Sequence, residues 1–118
     1  MKGMKFFNFD NTGVSYIKCV HIYGTLGLIP SSIILCTIRK VIPLKKIKKG
    51  QLFKGVVVRL CKIYKRKSGI CVNYYTNGVV LLKKIDPVPI GTRVFGSVYI
   101  EIRKKGFMKI ISLSSFTI

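Results

Sequence analysis

The most informative feature of this sequence is how few acidic side chains it has. Its 118 residues include only 3 Asp and Glu against 22 Lys and Arg, a formal net charge of +19. A globular protein with this excess repels itself and gains little from internal ion pairs. The simplest resolution is a polyanionic partner, and we expect that partner to be a phosphate backbone.

Histidine is also scarce, and the cysteines lack a metal-binding spacing. His21 is the single histidine, and Cys19, Cys36, Cys61 and Cys71 form no CxxC pair. Zinc ligands usually come in close pairs, so we predict no metal site and no cofactor. We expect reduced, partly buried thiols, with Cys19 and Cys36 inside strand patterns.

Long hydrophobic runs are missing as well. The most apolar stretch, Leu26 to Cys36, is interrupted by Pro30, Ser31 and Ser32, and it is shorter than the roughly 20 residues that span a bilayer. Residues 1–9 carry two Lys but no apolar region followed by a cleavage site, so we expect neither a secretory signal nor a transit peptide. The sequence predicts no membrane partner.

The apolar content is high for so basic a chain. Hydrophobic residues make up 49%, and the mean hydropathy is +0.40. A disordered basic tail would be poor in such residues, so these values indicate a folded domain with a cationic exterior. No linker, repeat or low-complexity tract divides the chain, and we predict one domain over residues 1–118.

Short β-prone runs between turn signals predict an all-β fold. Expected strands cover residues 16–23, 33–41, 52–60, 70–75, 79–82 and 93–102. In the first strand we expect Tyr16, Lys18, Val20 and Ile22 on one face and Ile17, Cys19 and His21 on the other. Asn77-Gly78 predicts a hairpin between its flanking strands.

Strands at spacings of roughly ten residues favour a small barrel or sandwich. Closure into a barrel would also remove sheet edges that otherwise attract other chains. At the C-terminus the hydrophobic period changes, and Phe107, Ile110, Ile111 and Ser114 suit one or two helical turns packed on a core.

Catalysis has few candidate residues, because acid–base or nucleophilic chemistry needs a titratable pair. Asp10 and Asp86 are in turn sequences, where short acids bond backbone N–H groups. No motif supports a Cys–His nucleophile, and we expect His21 to be a strand residue that touches RNA or a neighbour. Glu101 is expected to pair with a cation close in sequence, one of Arg103, Lys104 and Lys105. We therefore predict no enzymatic activity.

Basic residues cluster in the predicted loops, from which they can reach into a folded RNA. An ordinary solvated face would carry interspersed acids, and these are nearly lacking here. Lys83 and Lys84 form a smaller group. The predicted RNA-binding residues are Lys45, Lys46, Lys48, Lys49, Arg59, Lys62, Lys65, Arg66, Lys67, Arg93, Arg103, Lys104, Lys105 and Lys109.

Tyr64, Tyr74 and Tyr75 lie near these cations. Two interpretations are open for them: stacking on unpaired bases or packing within the barrel. The sequence has no aromatic signature or loop motif of a sequence-reading RNA module.

Several sequence blocks, in one order from about Asp10 to the C-terminus, resemble the universal L-fourteen family of large-subunit ribosomal proteins. The blocks are Asp10-Asn11-Thr12-Gly13, Lys45-Lys46-Ile47-Lys48-Lys49-Gly50, Val56-Val57-Val58-Arg59, Asn77-Gly78-Val79-Val80-Leu81-Leu82, Pro89-Ile90-Gly91-Thr92-Arg93-Val94-Phe95-Gly96 and Phe107-Met108-Lys109-Ile110-Ile111-Ser112-Leu113.

The resemblance implies a fold, a function and partners. It implies a small five-stranded closed β-barrel with a projecting β-ribbon and short C-terminal helices. It implies a structural protein that binds large-subunit rRNA at the subunit-facing side, beside other large-subunit proteins. It also implies a part in a bridge with small-subunit rRNA and docking of a ribosome silencing factor. A basic nucleic-acid-binding barrel outside the ribosome is the alternative function.

The sequence departs from the family pattern between Gly24 and Ile33, where a longer basic loop is usual. Here the stretch is short and apolar, and we expect a protein neighbour at Leu28 and Ile29 in place of RNA. Residues 114–118 also lack the family's usual proline and acid. The excess of Lys over Arg and the frequent Ile, Phe, Tyr and Asn suggest an AT-rich organelle genome. A mitochondrion is the first expectation, with a plastid or bacterium second.

Overall fold

The computed structural model describes residues 4–24, 27–42, 47–83, 88–114 and 116–118. Strands dominate these ranges, as the sequence predicted. In chain order the elements are β1 Lys5–Asn8, β2 Val14–Ile22, β3 Ile33–Val41, β4 Leu52–Arg59, β5 Tyr64–Lys65, β6 Cys71–Val72, β7 Gly78–Leu81, β8 Ser97–Val98, α1 Glu101–Lys104, α2 Met108–Leu113 and β9 Phe116–Thr117.

Five strands close into a barrel in the order β1-β2-β3-β4-β7. Neighbours are antiparallel except β1 and β7, which run parallel and complete the closure. The barrel strands are rich in Ile and Val, whose branched side chains suit a pleated surface. The predicted closed barrel is confirmed, and short helices follow it near the C-terminus.

Burial differs between the two sides of the barrel. On β1, β2 and β3, fully buried Phe6, Ile17 and Ile38 are flanked by exposed or half-buried residues, which is the pattern of a strand with one packed face. On β4 and β7, residues 55–58 and 78–81 are buried without alternation. Both faces of these two strands are therefore covered, and the C-terminal segment supplies further members of the same core, among them Val98, Tyr99, Ile102 and Ile110.

The predicted hairpin at Asn77-Gly78 is wrong. Strand β7 pairs with β4 and β1, while β6 pairs with β5 in a separate two-stranded ribbon. Neither Asn77 nor Gly78 has a positive φ, which the expected tight turn would require. Glycine is needed at 78 for close packing instead, because a Cβ there would come within 2.4 Å of the Phe9 ring.

The predicted last strand over 93–102 is also wrong. It breaks into a single bridge at Val94, the short strand β8 and the helix α1. Gly96 interrupts the run with φ +74°, a conformation that costs an L side chain strain. Glu101 in the first turn of α1 and Arg103 and Lys104 in its last turn suit the helix dipole. Neither helix in the described ranges is long and apolar enough to cross a membrane.

Part of the short apolar loop after β2 packs into this chain's own core. Leu28 is 5% exposed, Ser31 takes a positive φ, and the Ser31 N–H donates to the Val57 carbonyl. Leu28 is therefore not available to a neighbouring protein, and that part of the expectation is corrected. Ile29 is half-buried.

Candidate RNA interface

The Asp10 carboxylate is hydrogen-bonded within the fold. Its side chain is buried and accepts hydrogen bonds from Asn8 Nδ2 at 2.5 Å, Thr12 Oγ1 at 2.6 Å and the backbone N–H groups of Thr12 and Leu81 at 3.1 and 3.3 Å. The bond to the Thr12 N–H is the turn contact that the sequence predicted. The bond to Leu81 ties this turn to β7.

The same turn holds the segment that carries Arg93. The Asn11 side-chain oxygen accepts from the backbone N–H groups of Thr92 at 2.9 Å and Arg93 at 3.2 Å. A Cβ at Gly91 would lie 2.6 Å from that oxygen. Two blocks of the family pattern are therefore adjacent in space, and their contact leaves the Arg93 side chain exposed.

Glu101 pairs with a cation distant in sequence. Arg66 donates to both of its oxygens, through Nε at 3.0 Å and Nη2 at 2.8 Å, and Nη2 also donates to the Ile118 carbonyl at 2.5 Å. The expected partner was one of Arg103, Lys104 and Lys105, so that expectation is wrong. The two-pronged pairing suits the planar guanidinium, and it joins the β5–β6 ribbon to α1 and the C-terminus. Asp86 lies outside the described residues.

Arg59 also serves the fold. Its Nε donates to the Ser97 carbonyl at 2.9 Å and its Nη2 to the Phe95 carbonyl at 2.7 Å. The guanidinium carbon lies 4.0 Å from the centre of the Phe9 ring and 5.6 Å from that of Tyr74. Burial lowers the pKa of the guanidinium, but an arginine stays charged. Arg59 and Arg66 therefore have structural roles within the fold, and their predicted contact with RNA stays a prediction.

The described residues contain no catalytic pair around the cysteines or His21. A register shift in β2 between Cys19 and His21 turns His21 to the surface, where it meets the Tyr23 ring edge-on at 4.9 Å. The predicted placing of His21 on the same face as Cys19 is therefore wrong. Burial raises the pKa of the Cys36 thiol to about 12, so this thiol stays neutral and unreactive. No described group of His, Cys, Asp or Glu could hold a metal.

The other described members of the predicted set are exposed, and the one ion pair in the described ranges uses none of them. They are Lys48, Lys49, Lys62, Lys65, Lys67, Arg93, Arg103, Lys104, Lys105 and Lys109. The fold brings together cations that are far apart in the sequence, because Lys67 and Lys104 line one cleft of about 420 Å³. Lys45, Lys46 and Lys84 lie outside the described residues.

Sequence reasoning missed a second group of cations on the barrel strands themselves. Lys5, Lys18, Arg39 and Lys40 are exposed on the outer surface of β1 to β3. They escaped notice because they are spread along the chain rather than clustered. The sequence signal that could have identified them is strand alternation, because a residue next to a buried apolar one in a strand points to the opposite face.

The three tyrosines divide between the two interpretations. Tyr64 and Tyr74 pack edge-on against buried Tyr99, with ring centres 6.2 and 5.0 Å away. Tyr75 is 99% exposed, so its whole ring is accessible to a base.

These features define a small basic barrel whose two described acids, Asp10 and Glu101, are bonded within the fold and whose described lysines are exposed. The family model described as ribosomal protein L14p/L23e matches residues 3–118. The chain therefore belongs to the ribosomal L14p/L23e family, and it is a structural protein of the large ribosomal subunit rather than an enzyme.

Proposed function

We propose that this protein binds large-subunit rRNA at the subunit-facing side of the large subunit, and that exposed Lys and Arg side chains neutralise its phosphates. The observation that carries the proposal is the charge balance. The chain has a net charge of +19, and both described acids, Asp10 and Glu101, are engaged within it. Release of counterions from rRNA would make each phosphate contact favourable.

The contact surface of this proposal follows the exposed cations. Its best-defined part is the cleft between the β5–β6 ribbon and α1, where Lys67 and Lys104 face the same space beside Tyr64. Lys45 and Lys46 stay in the proposal on sequence grounds alone. The remaining members are Lys48, Lys49, Arg59, Lys62, Lys65, Arg66, Arg93, Arg103, Lys105 and Lys109.

Salt dependence of binding tests this function. Binding of the protein to large-subunit rRNA should weaken steeply and linearly in log–log form as salt rises. The variant Lys67→Gln/Lys104→Gln should lower the slope by about 1 to 2, while Lys54→Gln/Lys83→Gln, which removes the same charge elsewhere, should bind nearly as the parent does. A flat salt dependence of the parent protein would contradict the proposal.

Sedimentation tests the ribosomal site against a free nucleic-acid-binding barrel. We expect the protein to co-migrate with the large subunit after a moderate salt wash. Release of most of the protein at that step would favour the free barrel, because stable assembly requires many contacts that are formed together.

The finer family properties also belong to the proposal. We infer neighbouring large-subunit proteins, a contribution to a bridge with small-subunit rRNA and docking of a ribosome silencing factor. Subunit-joining assays with and without that factor test the last two. We also infer a mitochondrial ribosome from the AT-rich residue bias, with plastid and bacterial ribosomes as alternatives that the genetic locus distinguishes.

A further inference from the structure

A second basic site lies on the barrel, away from the predicted loops. Lys5, Tyr16, Lys18 and Arg39 line a groove of about 300 Å³ on the outside of β1, β2 and β3, and we call these four residues the outer-face patch. Its three cations come from three different strands. Only tertiary pairing of the strands therefore assembles it.

Lys5 and Lys18 are direct cross-strand neighbours in the β1–β2 pairing. The Cys19 N–H donates to the Met4 carbonyl, so that pair is hydrogen-bonded and the next pair, Lys5 and Lys18, is not. Side chains at non-hydrogen-bonded positions of an antiparallel ladder are the closer ones. Like charges directly opposite each other destabilise a sheet, and this pair therefore favours a bound anion.

Tyr16 holds one of these charges in place. The Lys5 ammonium lies 4.0 Å from the centre of the Tyr16 ring and 5.0 Å from that of Phe7, within the range of a cation–π attraction. Phe7 is opposite Tyr16 in the register and is 41% exposed. An apolar ring surface thus continues from the cations.

Arg39 reaches the patch through an irregularity of β3. Tyr16 pairs with Lys40 and Ile17 with Ile38, which leaves Arg39 as an extra residue between two registered pairs. Such a bulge re-aims a side chain out of the regular alternation. Arg39 is exposed and lines the groove together with Lys18.

We propose that the outer-face patch binds consecutive phosphodiesters of the rRNA backbone, with Phe7 and Tyr16 against the adjoining ribose or base. Three cations at one groove match more than one negative charge, which the successive phosphates of an RNA strand supply, and no described acid forms an ion pair with them. Exposed rings beside cations are typical of nucleic-acid contacts. This inference rests on the proposed function and adds a second contact, separate from the cleft of Lys67 and Lys104.

Paired variants of equal charge test the patch in rRNA binding. We expect Lys5→Gln/Lys18→Gln to weaken binding at least tenfold and to lower the salt slope by about 1 to 2, with Lys54→Gln/Lys83→Gln close to the parent. An equal effect of both variants would overturn the patch and indicate unspecific charge attraction. Normal binding by the patch variant, with loss in Lys67→Gln/Lys104→Gln, would overturn the patch and leave the proposed function standing. A parent protein that does not bind rRNA would overturn both.

Acetylation of lysines, read by mass spectrometry, locates the contact without any substitution. Lys5 and Lys18 should react in the free protein and be protected in the complex with purified large-subunit rRNA, while Lys54 should react in both. Protection that appears only in the assembled large subunit and survives ribonuclease would indicate an acidic protein segment in the groove and would overturn the RNA assignment.

Discussion

Two regions of this barrel use positive charge in opposite ways. At the C-terminal segment, Arg59 and Arg66 donate to backbone carbonyls and to the carboxylate of Glu101. At the outer-face patch, Lys5 and Lys18 stand side by side, and neither forms an ion pair with a described acid. The arginines stabilise contacts within the chain, whereas the charge of the two lysines remains available to a partner.

The difference follows from side-chain chemistry. A guanidinium is planar and can donate several hydrogen bonds in fixed directions, so it can link two segments of backbone. An ammonium is a strongly hydrated point charge on a flexible stem, well suited to a phosphate at a wet surface. A cation's contribution to stability in this protein thus depends on what surrounds it, and removing charge should have opposite effects in the two regions.

The largest effect on stability is expected at Gly96, which packs on Arg59. A Cβ there would lie 1.8 Å from Arg59 Nη2, whereas Gly50 also has a positive φ but open space around it. Gly50→Ala should cost about 1 kcal/mol through backbone strain alone. Gly96→Ala should cost about 3 kcal/mol in denaturant unfolding, because the Arg59 contacts are lost as well.

A double variant isolates that extra cost. In an Arg59→Ala background the clash is removed, so Gly96→Ala should then cost no more than Gly50→Ala does in the parent. Equal costs of the two glycine variants in the parent protein would show that Arg59 moves aside freely and does not hold residues 95–97.

The buried phenol of Tyr99 should make the stability of the fold sensitive to alkali. Burial raises the pKa of Tyr99 to about 12, against about 10 in an unfolded chain. The contribution of the buried phenol to the free energy of unfolding is therefore fully present below pH 10 and is lost as the pH rises from 10 to 12. The unfolding free energy of the parent should fall over this window by on the order of 2 kcal/mol more than that of Tyr99→Phe. Parallel pH profiles of the two proteins would contradict the assignment.

A smaller effect is expected for the Arg66–Glu101 pair. A double-mutant cycle with Arg66→Ala and Glu101→Ala should give a coupling of about 1 kcal/mol, because the pair is two-pronged but its side chains keep 20% and 15% exposure. The same cycle with Arg103→Ala in place of Arg66→Ala should give coupling near zero. A larger coupling to Arg103 would restore the pairing expected from sequence.

The smallest effect on the unfolding free energy is expected at the outer-face patch, and the direction of that change is what tests the prediction. Lys18→Gln should change the unfolding free energy by no more than about 0.5 kcal/mol, and at low salt it should stabilise the protein because it relieves repulsion from Lys5. Lys54→Gln, whose lysine has no registered cationic neighbour, serves as the control. A clear loss of stability in Lys18→Gln would mean that this lysine supports the fold after all.

Sequence reasoning succeeded where the determinants are local. The strand predicted over 33–41 has those bounds in the structure, because Ile33, Ile34, Thr37, Ile38 and Val41 give it a high local β-propensity. The helical turns near 107–114 also form. The predicted free thiols are present, with Cys19 and Cys36 buried and Cys61 and Cys71 exposed.

Sequence reasoning failed where a residue's role is set by a distant partner. Asn77-Gly78 has the composition of a turn, yet Gly78 is glycine because the Phe9 ring packs against it. Glu101 has cations close to it in sequence, yet both of its carboxylate oxygens accept hydrogen bonds from Arg66 of the β5–β6 ribbon. The outer-face patch could not be predicted either, because its register and bulge exist only once β1, β2 and β3 have paired.

The sequence by itself determined the class of this protein. Its charge excess, apolar strand patterns and family blocks define a basic barrel of the large ribosomal subunit, since composition and local pattern survive without knowledge of pairing. Only the tertiary structure decided which cations are available to a partner. Closing the barrel and folding the C-terminal segment over it brought Arg59 and Arg66 to internal acceptors, and it left Lys5, Lys18 and Arg39 together at the surface.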